Sequence, residues 1–185
     1  MKTTLHDVRT FGDPILRLRC NEVDEFGDRA ASLGRRLQEY LRQSGLGIGV
    51  AANQLGIGRQ AFAYDMSYHE PEQHGVIFNP KVAEGDGVAT YEEGCLSIPD
   101  FFYPVERPET VVVVGQDWEG EELVFEIDGL MSRLFQHEID HLNGILMFDR
   151  IPKDEREQAI WDATHLSAPG YGRRRRASKS RRFSL

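Results

Sequence analysis

The chain has 185 residues, of which 40% are hydrophobic and 28% charged, a composition typical of one globular domain with a short extension. A chain of this length buries about two-thirds of its unfolded surface, so it needs neither a metal ion nor disulfides to stay folded. It has no apolar run of membrane-span length and no secretory signal at its start, so we expect a cytoplasmic protein. It has only two cysteines, and in a reducing compartment we expect both to be free thiols, or one of them to be a ligand, rather than a disulfide.

The charge is distributed unevenly along the sequence. The formal net charge is -8, but residues 171–185 hold seven Arg and Lys residues and no acidic one, so residues 1–170 alone carry -15. The basic segment has too little apolar content to pack, and this predicts disorder. We therefore expect a single domain over residues 1–170 and a basic, disordered tail over residues 171–185.

The first half of the chain predicts one helix and one glycine-rich loop. Apolar residues recur at helical spacing over residues 28–44, and Gly45 ends the helix. Residues 45–56 alternate glycine with aliphatic residues, so the backbone there can approach another group closely. This loop matches neither nucleotide-binding glycine motif, so we expect no nucleotide cofactor. The amide of Gln54 is a candidate oxyanion donor, although it also suits a purely structural turn.

The middle of the chain predicts a mainly antiparallel sheet. β-branched and aromatic residues cluster over residues 59–64, 76–79, 110–115 and 122–127, with a hairpin loop at 118–121. Residues 144–148 are also expected to form a short strand, and a last helix is expected from about Pro152 to His165. The fold class is therefore α+β, with antiparallel sheets, an N-terminal helix and a C-terminal helix.

A further helix carries the strongest chemical motif, His137-Glu138-Ile139-Asp140-His141. Two imidazoles four positions apart lie on one helical face and can bind one metal ion, with the intervening glutamate as the base that acts on water. Asp128 is a plausible N-cap and Gly144 a stop. The helical spacing places the histidines on the buried face, which makes this the predicted central helix. It places a second set of residues on an opposite, polar side: Arg133, Gln136, Asp140 and Asn143.

A third ligand is needed to distinguish a metal site from a chance pentapeptide. Cys95 directly follows Gly94 at the end of a predicted strand, and a thiolate is a good metal ligand. Two alternatives remain open. Cys95 could be a nucleophile with His137 as its base, but that pair leaves no role for Glu138. A zinc endopeptidase would instead need a downstream ligand, for which His165 is a poor candidate.

Three stretches in series resemble the signature motifs of the peptide deformylases, enzymes that remove the N-terminal formyl group from new polypeptides. These stretches are residues 47–54, 93–97 and 137–141. The resemblance implies that Cys95, His137 and His141 ligate one divalent metal ion. In that family the ion is usually Fe²⁺, with Ni²⁺, Co²⁺ or Zn²⁺ able to substitute, whereas the ligand set alone suggests zinc.

The resemblance also implies catalytic and substrate-binding roles. Glu138 would be the general base, and the Gln54 amide with the backbone N–H of Leu96 would stabilise the oxyanion. The substrate peptide would bind as an added strand. Its main chain would pair with the backbone of Ile48 and Gly49 on one side and of Glu93 or Gly94 on the other. The pocket for the methionine side chain would be lined by Ile48, Leu130, Leu134 and the stem of His137.

The sequence departs from the family pattern at Arg133 and at Phe101-Phe102-Tyr103, where some relatives carry an arginine, and the resemblance also implies partners. Arg133 lies where an aliphatic pocket neighbour is commoner, which leaves the side-chain preference open. The expected partners are N-formylmethionyl nascent peptides, with no membrane. Because phosphate contacts need only clustered positive charge, the tail is a candidate for binding ribosomal RNA, and an RNA- or ribosome-binding module is the second alternative function.

Overall fold

The structure is a computed structural model that describes residues 8–45, 47–68, 72–165 and the backbone of 182–184. The helices are α1 (Asp28–Ser44), α2 (Gly129–Leu142), α3 (Met147–Arg150) and α4 (Lys153–His165), with short 3-10 helices at Pro14–Arg17 and Ala52–Leu55. The strands are β1 (Gly49–Ala51), β2 (Ala61–Asp65), β3 (His74–Asp86), β4 (Ala89–Cys95), β5 (Ile98–Arg107), β6 (Thr110–Gln116), β7 (Glu122–Asp128) and β8 (Arg182–Ser184). The architecture is α+β, as predicted.

Helix α1 begins and ends where the apolar spacing predicted. Gly45 follows its last residue with φ 59°, a left-handed conformation that suits glycine, and its N–H donates to the carbonyl of Leu41. The buried stripe of α1 includes Leu37 and Tyr40, which pack against the sheet residues Val50 and Phe78. This helix therefore covers one face of the main sheet.

The main sheet has five antiparallel strands in the order β1-β2-β3-β6-β7. Helix α2 packs on it through Phe135, whose ring lies 5.1 Å from that of Phe62 and 5.0 Å from that of Tyr64, centroid to centroid. The predicted hairpin joins β6 and β7, with Thr110 paired to Asp128 and Gln116 to Glu122. The sheet is thus covered by α1 and by α2.

The second sheet has three strands in the order β5-β4-β8. Strands β4 and β5 are antiparallel, and β8 lies parallel to β4 on its other edge. The sequence did not predict β5 as a strand, because Pro99 and Pro104 interrupt its pattern. Both prolines are exposed, so the strand tolerates them.

Helix α2 is buried from Ser132 to Leu142. Asp128 occupies its N-cap position without a side-chain capping bond. Gly144 follows the helix with φ 73°, and a Cβ there would lie 2.6 Å from the carbonyl oxygen of Arg17. Most of the predicted polar side is buried too, with Arg133 at 3%, Gln136 at 7% and Asp140 at 6% exposure, whereas Asn143 at the end of the helix is exposed. The amphipathic interpretation of α2 was therefore wrong on that side, since ion pairs rather than solvent satisfy these charges.

Two further predictions need correction. The strand expected at residues 144–148 is absent, and the short helix α3 begins at Met147 instead. The tail was predicted to be disordered, but Arg182–Ser184 forms β8; its other residues lie outside the described part of the chain. Among the described residues, no helix is both long enough and apolar enough to span a membrane.

Candidate metal centre

Three buried side chains from two elements meet at one point. Cys95 is the last residue of β4, while His137 and His141 lie on successive turns of α2. Their ligand atoms all lie within 4.8 Å of one another, and the Cys95 Sγ is 3.2 Å from the His141 Nε2. The arrangement could hold one metal ion, and the three predicted ligands come together as expected.

His137 is held in place by a carboxylate. Its Nδ1 lies 3.1 Å from an oxygen of Glu93, while its Nε2 has no hydrogen-bond partner among the described residues. A carboxylate on one imidazole nitrogen fixes the ring and leaves the other nitrogen to bind a metal. Burial would lower the pKa of His137, but Cys95 and Glu93 outweigh it and raise the pKa to about 10. A metal ion held by His137 would take the place of that proton.

His141 differs from His137 in its electrostatics. Burial, followed by the charge of His137, lowers its pKa well below the usual range, so the ring is neutral. A neutral imidazole is the form that binds a metal ion.

Glu93 is the centre of a buried ion-pair network. Its carboxylate accepts from Arg107 Nε at 2.6 Å, Arg107 Nη2 at 2.9 Å and Arg133 Nη1 at 2.5 Å. Burial would raise its pKa, but the hydrogen bonds with His137 and Arg107 hold the pKa well below its usual range. Glu93 is therefore a permanent anion beside His137.

The network continues to the opposite side of α2. Arg107 Nη1 donates to Asp140 at 2.8 Å, and Asp140 also accepts from Arg150 Nε at 2.9 Å. Each buried charge in this chain of contacts has an opposite charge beside it. The network therefore ties β4, β5 and the end of α3, at Arg150, to α2, the helix that carries the two candidate histidine ligands.

Glu138 is buried without such compensation. It is 0% exposed, and neither carboxylate oxygen has a side-chain partner among the described residues. Burial raises its pKa to about 7, which suits a general base acting near neutral pH. The backbone of β1 passes close by: a Cβ on Gly49 would overlap Leu134 and lie 2.5 Å from Glu138 Oε1. Only glycine fits this approach without a shift.

The amide of Gln54 has a fixed orientation. Its Oε1 accepts from the N–H of Ala51 at 2.8 Å, so its Nε2 faces the opposite way. That nitrogen lies 3.2 Å from Ser97 Oγ and 3.8 Å from Cys95 Sγ. A preorganised donor beside the candidate metal position can stabilise an oxyanion.

Comparison with known proteins identifies the family that shares this sequence. The family model described as polypeptide deformylase matches residues 5–157. The chain is 40% identical over 158 residues to peptide deformylase 1 of Corynebacterium efficiens, covering 85% of this chain and 93% of that protein. The chain belongs to the peptide deformylase family. It is a metal-dependent hydrolase that removes the N-terminal formyl group from formyl-methionyl polypeptides during protein biosynthesis.

Solved peptide deformylase structures have the same fold. The enzyme of Thermus thermophilus matches with a TM-score of 0.79 at 36% identity, covering 87% of this chain and 95% of that one. The Synechococcus elongatus enzyme, solved in complex with actinonin, matches with a TM-score of 0.78 at 35% identity, covering 85% and 87%. The deformylase resemblance of the three motifs is thus confirmed.

The residues predicted to bind substrate lie around this centre. Ile48 and Leu130 are half-buried and pack against the cluster that contains Leu134. The carbonyl of Ile48 accepts from Asp65 N–H at 2.8 Å, so this oxygen already bonds to β2. Because backbone groups alternate along a strand, those of Gly49 point to the other edge.

On the opposite side, β4 carries the other predicted residues. Glu93 and Gly94 directly precede Cys95, and Leu96 lies in the turn after it. Arg133, the departure from the motif, points to Glu93 and lies over the Tyr91 ring, with 5.0 Å from its guanidinium carbon to the ring centroid.

Sequence reasoning missed several residues that support the centre. Asn53 Nδ2 donates to the carbonyl of His141 at 2.6 Å and so ties the first motif to the third. The sequence could have indicated Asn53, because it directly precedes the candidate oxyanion donor Gln54. The sequence could not have indicated the side-chain role of Glu93 or the part played by Arg107, because their partners are distant in sequence.

Proposed function

We propose that Cys95, His137 and His141 hold one divalent metal ion, physiologically Fe²⁺, with Zn²⁺, Ni²⁺ or Co²⁺ able to replace it. The three clustered ligand atoms and the unpartnered His137 Nε2 support this site. A thiolate with two imidazoles also suits zinc, so iron rests on the family. When bound, such an ion supplies Lewis-acid chemistry that acidifies a water molecule and polarises the formyl carbonyl.

In this proposal Glu138 moves the proton. Its carboxylate takes a proton from the attacking water and later gives it to the departing amine, and formate leaves. A carboxylate with no side-chain partner among the described residues, and a pKa of about 7, is suited to both transfers. This fully buried carboxylate, which has no side-chain partner among the described residues and lies next to His137 in the chain, is the observation that carries the mechanism.

Two donors would stabilise the charge that develops on the formyl oxygen. The side-chain amide of Gln54 is already turned towards Cys95 by its bond from Ala51. The backbone N–H of Leu96 follows Cys95 directly in the chain. Donors that are fixed before the reaction cost no reorganisation when charge appears.

The substrate would lie as an extended strand between β1 and β4. Gly49 on one side, and Glu93 or Gly94 on the other, would pair with its main chain, whereas Ile48 contributes its side chain. The methionine side chain would enter a pocket formed by Ile48, Leu130 and Leu134, which lie together at the edge of the core. The tight approach of β1 to Glu138 favours formyl over bulkier acyl groups.

The remaining expectations concern the whole chain. We infer that residues 1–170 form one catalytic domain with α2 as its central helix, because α2 contacts the main sheet and also joins β5 through Asp140 and Arg107. We infer a cytoplasmic location, where nascent peptides are made. Contact of the tail with ribosomal RNA rests on its seven positive charges alone.

The decisive assay is formate release from a formyl-methionyl tripeptide by anaerobically purified protein, with and without a chelator. Glu138→Gln keeps the volume of the side chain but removes the base, so we expect kcat to fall more than about 10³-fold with metal content unchanged. Glu157→Gln makes the same chemical change at an exposed position of α4 and serves as the control.

Three outcomes separate the parts of this proposal. Loss of turnover in Glu138→Gln, with Glu157→Gln like the parent, supports the assignment of the base. Near-normal turnover of Glu138→Gln contradicts it. Formate release that persists in chelator, after metal analysis shows the ion removed, contradicts the metal centre.

A further inference from the structure

Strand β8 lies on the edge of β4 where the substrate strand is expected. Strand β4 has two edges, and β5 occupies one of them. The other edge pairs with β8, with Glu92, Glu93 and Gly94 opposite Arg182, Phe183 and Ser184. The backbone proposed to pair with the formyl peptide is therefore already paired within the chain.

The direction of β8 distinguishes it from a substrate. A peptide whose formyl group reaches Cys95 must begin beside the end of β4 and run back along it, antiparallel. Strand β8 runs parallel to β4, towards Cys95. It therefore cannot present an amino terminus to the reacting atoms, and it occupies the edge without being a substrate.

The charges of the tail and of the domain favour contact between them. The segment 171–185 carries seven positive charges and no negative one, while residues 1–170 carry a net charge of -15. Opposite net charges raise the local concentration of the tail at the domain surface. The family match ends at residue 157, so the tail is a feature outside the shared deformylase region.

We propose that β8 is an autoinhibitory strand that competes with the formyl peptide for the free edge of β4. The proposal rests on the proposed function, because it assumes that the substrate pairs with Glu93 or Gly94. Competition for a binding edge reduces the fraction of enzyme that can bind substrate and leaves the chemical step unchanged. The tail should therefore raise KM and leave kcat alone.

The test uses paired proline substitutions in the full chain. Adjacent residues of a strand turn their N–H groups to opposite edges, so Phe183→Pro with Ser184→Pro removes a ladder donor whichever residue faces β4. Ala177→Pro with Ser178→Pro makes a matched change in the same tail, outside β8 and with the same net charge. A chain ending at Gly170 supplies the fully released reference.

If β8 is docked about nine-tenths of the time, the variant with prolines at 183 and 184 and the truncated chain should show KM lowered about tenfold with unchanged kcat. The variant with prolines at 177 and 178 should keep the parental KM. Equal KM in all four proteins would overturn the proposal, as would a KM that rises with enzyme concentration, because the strand would then come from a second copy. Absence of formate release in every protein would instead contradict the proposed function.

Discussion

The two sides of α2 are equally buried but differ in how their polar atoms are satisfied. On the metal face, formed by His137, Glu138 and His141, four buried polar atoms have no side-chain partner among the described residues. On the ion-pair face, Arg133 contacts Glu93, and Asp140 contacts Arg107 and Arg150. Buried polar atoms without partners destabilise a fold, so they persist where chemistry requires them. The comparison separates the face that is proposed to react from the face that supports it, on which Arg133 Nε also lacks a partner among the described residues.

The largest effect is expected from removing a proposed ligand on the metal face. His141→Ala should abolish stoichiometric metal binding and lower formate release by at least about 10³-fold, since Lewis-acid catalysis contributes several kcal/mol. Metal analysis and the formate assay measure this. The control is His165→Ala on α4, an exposed histidine. Loss of metal in the control instead would favour the endopeptidase arrangement of ligands.

Disrupting the ion-pair face should lower the free energy of unfolding and not only the activity. Glu93→Gln leaves Arg133 buried without its anion and Arg107 with Asp140 alone, and breaking a buried ion pair typically costs about 3–5 kcal/mol of unfolding free energy. Urea unfolding in the presence of chelator measures this without a contribution from metal binding. Glu106→Gln, exposed on the neighbouring β5, should change the unfolding free energy by under about 0.5 kcal/mol. Equal stabilities would mean that the network contributes nothing.

A smaller effect is expected from replacing the proposed oxyanion donor, Gln54. Gln54→Glu keeps an oxygen for the bond from Ala51 and replaces the donor nitrogen facing Cys95. The loss of one such donor typically lowers kcat by about 10²- to 10³-fold. Gln73→Glu, at an exposed position, controls for the added charge. If only KM changed, Gln54 would bind substrate instead of stabilising the transition state.

The smallest effect is expected for the pH dependence of the contribution that Glu93 makes to the free energy of unfolding. Its folded-state pKa lies well below the unfolded value of 4.5, so the unfolded chain binds more protons between the two values. The stabilisation is therefore complete above about pH 4.5 and decreases as pH falls towards the folded-state pKa. The difference in unfolding free energy between the parent and Glu93→Gln should narrow below pH 4.5. A constant difference in urea titrations down to pH 3 would contradict this sign.

The sequence predicted those helices, strands and candidate ligands whose patterns lie within a short stretch of the chain. The spacing of α1, the strand composition of the β6–β7 hairpin and the motif on α2 all lie within short windows, and the structure has each of them. Predicting Cys95 as a ligand required further information, because Cys95 is separated from His137 by strands whose pairing cannot be read from the sequence. The resemblance of the three motifs in series supplied that information.

What the sequence could not predict depends on distant partners. Arg133 and Asp140 look like a solvated helix face until Glu93, Arg107 and Arg150 are placed beside them. Strand β5 contains prolines that read as breaks, but they fall at exposed positions. The pairing of β8 with β4 joins segments far apart in the chain, and no periodicity in the tail indicates it.

The bond from Asn53 Nδ2 to the carbonyl of His141 has a consequence for inhibitor design. Asn53 precedes Gln54 in the same 3-10 turn, so this bond joins the proposed oxyanion donor to the helix that carries the two candidate histidine ligands. An inhibitor that binds across this bond contacts two segments that are already joined, so less ordering of the protein is needed on binding. A rigid compound, which itself loses little flexibility on binding, should therefore have a long residence time, and removing the Asn53 bond should shorten that residence time even where every ligand contact is retained.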